Sequence, residues 1–90
     1  MSLDELRKKI DEVDSRIVRL IAERIKIAEE IGEVKKKLGK QIEDLNREQV
    51  VLDNVKEIAG QQGLSPDDIE SIYRQIIAAS KNMEGEVWKE

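Results

Sequence analysis

The sequence predicts an all-α chain of three helices: a long first one over about 3–38, then shorter ones over about 45–60 and 66–84. Two observations carry that expectation. One apolar seam recurs at alternating steps of three and four residues through the first segment, and helix-capping residues and glycines mark the segment ends. Nothing points to an internal repeat, a low-complexity segment or a second domain, so residues 1–90 are expected to form a single domain.

The first helix opens at "SLDE", where Ser2 can accept an orphan backbone N–H and Glu5 can reach back in a capping box. It is expected to stop at Gly39, a residue suited to a left-handed cap. Its seam reads Leu3, Leu6, Ile10, Val13, Ile17, Leu20, Arg24, Ile27, Ile31, Val34, Leu38, the rhythm of a helix packed lengthwise on another. Arg24 is its one polar member. Asp44 is the expected N-cap of the second helix, whose apolar positions include Val51, Leu52, Val55, Ile58 and Ala59 and which "GQQGL" ends. Ser65 caps the third, with Pro66 at the favoured first position and Asp67 and Asp68 at the positive end of the dipole. Ile69, Ile72, Tyr73, Ile76 and Ile77 form its apolar face, Ser80 and Glu84 continue that face, and Gly85 is the expected stop before an uninformative tail, "EVWKE".

Length then bears on assembly. A helix of some 36 residues is about 54 Å long, whereas a compact globule of this size has a radius of gyration of ~12 Å. The first helix overhangs its own domain, and its apolar seam runs through the overhang. A two-fold partner laying its own long helix alongside is the simplest cover.

Composition removes many chemistries. The chain has no cysteine and no histidine, which excludes thiol nucleophiles, disulfides, imidazole bases and the usual zinc sites. Two aromatics, Tyr73 and Trp88, are too few for base stacking, and a net charge of −4 disfavours binding to a phosphate backbone. No apolar run approaches a membrane span and "MSLDELRKK" has no signal-peptide core, so a soluble cytoplasmic protein is expected.

Arg24 must meet an anion or water, because a buried unpaired guanidinium is very costly. It could set the register of a coiled coil, pair with a carboxylate from another helix, or face a ligand. Lys35 lies three turns on from Arg24 and projects from nearly the same face. Arg47 and Glu48 occupy the first turn of the second helix beside Asp44, and Ser80 and Glu84 sit one turn apart on the third. Singly, each reads as an ordinary solvated polar residue. Together they describe a cavity in a helical bundle, lined with cations and suited to a small polyanion.

The segments "LRKKIDEVD", "LIAERIKIAEEIGEVKKKLG", "IEDLNREQ" and "IYRQIIAASKNME", in this order and spacing, resemble the all-helical chorismate mutases of the AroQ class. The resemblance covers the chain through Glu84. It implies an intertwined homodimer with two equivalent sites and a unimolecular Claisen rearrangement of chorismate to prephenate, the branch step toward phenylalanine and tyrosine. No cofactor or metal is implied. It also implies that Arg7 enters the partner's site. Arg7 and Arg24 would hold the two carboxylates, Lys35 would contact a carboxylate and the ether oxygen, and Asp44 (by its backbone) and Glu48 would fix the ring hydroxyl. Arg47 would balance charge and Ser80 would bond a carboxylate. Glu84 stands where many bacterial members place glutamine; only its protonated form can donate to the ether oxygen, which makes activity at this position pH-dependent.

Two rivals are weighed against this. An isochorismate-pyruvate lyase shares the fold and the cation-lined pocket; product analysis separates it. A non-catalytic helical dimerisation module explains the heptads but gives no reason for Arg24, Ser80 and Glu84 to share a pocket.

Overall fold

A computed structural model describes residues 1–88 as three α-helices: α1 (Leu3–Leu38), α2 (Leu45–Gln61) and α3 (Pro66–Trp88). Local chemistry fixes most boundaries. Ser2 Oγ accepts from the Glu5 N–H at 3.1 Å, the first half of the expected capping box. At the far end Gly39 adopts φ 68°, and the N–H of Lys40 reaches the Lys35 carbonyl at 2.8 Å while that of Gly39 reaches Lys36 at 3.3 Å. This is a Schellman cap. Asp44 caps α2 by accepting from the Arg47 N–H at 3.0 Å. The same left-handed device ends α2 at Gly63, φ 73°, with Leu64 N–H on the Ala59 carbonyl. Ser65 Oγ caps α3 through the Asp68 N–H at 3.3 Å.

The third helix departs from expectation. It does not stop at Gly85 but continues in helical conformation to Trp88, whose indole Nε1–H donates to the Gly32 carbonyl of α1 at 2.7 Å. A glycine ends a helix only where a positive φ is adopted, and here a tertiary anchor beyond it keeps the backbone helical. The part of the tail at 89–90 lies outside the described residues.

α3 is the centre of the packing. It contacts both α1 and α2, whereas α1 and α2 do not pack on each other. The core is correspondingly thin: among the described residues Ala28, Leu52, Ala59 and Ile77 are its buried apolar members. α1 gives the chain a long dimension of 55 Å and a radius of gyration of 16.1 Å. Its first 20 residues bury nothing; Leu3, Ile10 and Leu20 are 62%, 62% and 63% exposed. Among the described residues no helix is long and apolar enough to cross a membrane.

Candidate functional site

Because α1 and α2 stand apart on a shared α3, a cleft of about 420 Å³ opens between them. That volume lies in the usual range for small-molecule sites. α1 contributes Arg24 and Lys35, the start of α2 contributes Asp44, Arg47 and Glu48, and α3 contributes Ser80 and Glu84. Ala28, Ile31, Val51 and Ile77 supply apolar wall. Seven of the eight residues singled out from the sequence therefore meet in one cleft. Arg7 does not: it is exposed on the first turns of α1, about 25 Å from Arg24 along the helix axis.

The polar contacts divide into paired and open groups. Arg24 donates to Ser80 Oγ at 2.5 Å, and Ser80 in turn donates to the Ile76 carbonyl at 3.0 Å. The single hydroxyl proton is thus committed, so Ser80 can donate to a ligand only by giving up Ile76. Among the described residues no carboxylate pairs with Arg24, nor with Arg47. The internal ion pair considered for Arg24 is therefore not formed. Lys35 Nζ donates to the Ile42 carbonyl at 2.6 Å and to Glu84 Oε1 at 3.1 Å, leaving a third proton for the cleft. Glu84 and Ser80 are each only 6% exposed.

Glu48 is split between the two classes. Its Oε1 pairs with Lys81 at 3.0 Å, while its Oε2 is buried and has no hydrogen-bond partner. A buried acceptor left open is costly and calls for a donor. Lys81 also reaches Glu43 at 3.3 Å. The hydrogen bond that Lys81 donates to Glu48 raises the ammonium above its ordinary pKa, with burial opposing and Glu43 adding to the rise.

Two residues of the site escape sequence reasoning. Lys81 reads as one more surface charge until α2 and α3 are packed together. Gly32 left a signal, since a glycine in mid-helix weakens it by about 1 kcal/mol relative to alanine and so marks a close approach. A Cβ at Gly32 would lie 3.0 Å from the Glu84 Cα and 3.1 Å from its carbonyl oxygen. The missing side chain lets α3 press Glu84 onto α1 within reach of Lys35.

Comparison with known proteins agrees with this geometry. Residues 6–85 match the family described as chorismate mutase type II. A chorismate mutase of Methanocaldococcus jannaschii is 33% identical over 88 residues, covering 98% of this chain and 89% of the relative. A bifunctional chorismate mutase/prephenate dehydratase of Aquifex aeolicus is 39% identical over 90 residues, covering 94% of this chain but 24% of the relative. A solved structure of a conserved hypothetical protein from Pyrococcus furiosus superposes with a TM-score of 0.74 at 36% identity, covering 91% of this chain and 93% of that one. The chain belongs to the chorismate mutase type II family.

Proposed function

We propose that this chain rearranges chorismate to prephenate in the cleft between α1 and α2, as one domain working without a cofactor. The observation that carries the reading is the unmatched set of polar groups there. Among the described residues Arg24 and Arg47 lack carboxylate partners, and Glu48 Oε2 is a buried acceptor lacking a donor. Chorismate is a dicarboxylate bearing a ring hydroxyl, so it brings anions to a cation-lined cleft and a donor to Glu48.

The reaction is unimolecular and needs no nucleophile or base. Folding the substrate so that its reacting carbons meet can contribute several kcal/mol, up to the ~7–11 kcal/mol typical of well-oriented intramolecular reactions. As the C–O bond breaks ahead of C–C bond formation, charge builds on the ether oxygen. Lys35, whose third proton is uncommitted, and a protonated Glu84 donate there, stabilising the transition state more than the ground state. Arg24 binds one carboxylate through its planar fork, held in place by Ser80. Glu48 and the Asp44 backbone take the ring hydroxyl, and Arg47 balances the charge.

The family resemblance assigns the second carboxylate to Arg7, which cannot reach its own cleft. The working unit is therefore a homodimer in which the partner's Arg7 completes the site. Surface area supports this: a compact monomer of 10.3 kDa exposes about 5,400 Å², and this chain exposes 7142 Å². A surplus of roughly 1,700 Å² per chain falls in the range of obligate homodimers when doubled.

Incubating the purified chain with chorismate, and separately with isochorismate, tests the reading. Prephenate from the first is expected. Pyruvate released from isochorismate with no prephenate from chorismate would transfer the site to the lyase reaction, and no turnover of either would leave a dimerisation module.

A further inference from the structure

We infer that Lys81 is a positioning residue: it holds Glu48 by one oxygen so that the other faces a hydroxyl donor in the cleft. This rests on the mutase reading and adds to it a residue of the cleft wall that acts through Glu48.

Lys81 lies one position after Ser80 on α3, and its ammonium joins three parts of the fold. It bonds Glu48 on α2 at 3.0 Å and Glu43 in the α1–α2 connection at 3.3 Å. Glu48 thereby has one oxygen tied and one buried and open. A carboxylate is acceptor-only when ionised, so the open oxygen matches a ligand O–H rather than a ligand carboxylate. Two features make the tie consequential. The terminal torsion of a glutamate is soft, so an untied Glu48 could present either oxygen in many directions. Arg47 and Arg24 also line the same cleft, with no carboxylate partner among the described residues. Released from Lys81, Glu48 would be drawn to those guanidiniums and would neutralise the cations that the substrate carboxylates need. Lys81 thus aims one acceptor and keeps it from its neighbours. Its pair with Glu48 also raises its pKa, so it stays protonated through the neutral range.

The test compares wild type, Lys81→Met and Lys81→Arg on chorismate and on the analogue lacking the ring hydroxyl. Thermal melts followed by circular dichroism establish that each variant is folded. Lys81→Met keeps most of the apolar stem and removes the ammonium. Its kcat/KM on chorismate is expected to fall about tenfold, the size of one charged hydrogen bond, and to stay within about twofold of wild type on the analogue. Lys81→Arg is expected to recover most of the loss. An equal loss on both substrates would overturn the inference, because Lys81 would then act on a carboxylate or on the fold at large. No loss on either would overturn it too, leaving the pair as a surface ion pair of little consequence. Wild type that turns over chorismate while Lys81→Met matches it refutes this inference alone; wild type that makes no prephenate refutes the mutase reading itself.

Discussion

The two halves of α1 share one apolar rhythm and meet different surroundings. From Leu3 to Leu20 the seam is bare, with no residue buried. From Arg24 to Lys35 the same helix buries Ala28 and Gly32 against α3 and turns two cations into a cleft. Periodicity therefore announces that a face is to be covered but not by what. The polar break in the seam is more informative than the seam itself, since Arg24 stands at the start of the half that has intramolecular cover. The first half offers apolar area and Arg7; the second offers a cleft for which the proposed function calls on a further arginine.

If those two deficits answer each other, the halves depend on one another across a dimer. Arg7→Ala and Arg24→Ala are each expected to lower kcat/KM by about a hundred- to a thousandfold, as does removal of other preorganised donors. Mixed and allowed to exchange subunits, the two inactive variants are expected to recover about a quarter of wild-type activity. Half the dimers are then mixed, and each mixed dimer holds one intact site. A mixture no more active than its components would show that Arg7 does not serve a neighbouring chain. Arg24→Met adds a sharper contrast: activity retained with a higher melting temperature would make Arg24 a register residue like those of coiled coils.

A smaller effect is expected where the second half meets α3. Glu84 lies 3.1 Å from the Lys35 ammonium, with which it forms an ion pair. To donate to a developing oxyanion Glu84 must carry a proton, because an ionised carboxylate can only accept. If the acid is the donor, kcat/KM is expected to be lower at high pH than at low pH. Glu84→Gln, which donates at every pH, is expected to flatten the profile. A profile unchanged in that variant would remove Glu84 from the ether oxygen.

The sequence made the elements legible wherever their limits are set by local chemistry. Ser2, Gly39, Asp44, Ser65 and Pro66 mark boundaries with their own side chains or backbone angles, and those boundaries stand where they were expected. Gly85 misled because its helical state depends on Trp88 reaching a carbonyl 56 residues away. The site was legible in the same measure. Arg24, Ser80 and Glu84 interrupt apolar faces, and an interruption is visible in one dimension. Lys81 interrupts nothing: its importance comes from the approach of α2 to α3, which no local pattern records. Lys35, Arg47 and Glu48 lay between these extremes, unremarkable singly and informative only by converging.

Gly32 yields the smallest expected effect and the finest test of how the covered half of α1 works. A methyl group there would gain helix propensity of about 1 kcal/mol, yet it would meet the Glu84 backbone at 3.0–3.1 Å. Contacts that close are relieved by a shift of a few tenths of an ångström, and what stands opposite is backbone rather than a pliable side-chain tip. The two effects oppose in stability, so Gly32→Ala is expected to change the melting temperature little. They do not oppose in catalysis, because a displaced α3 carries Glu84 away from Lys35 and loosens geometry on which donation depends. A several-fold fall in kcat with KM nearly unchanged is expected, and steady-state kinetics beside a thermal melt would read both. Equal activity with higher stability would mean that the helices yield freely at this crossing. The glycine would then be a packing convenience, and the position of Glu84 would be set by Lys35 and Trp88 instead.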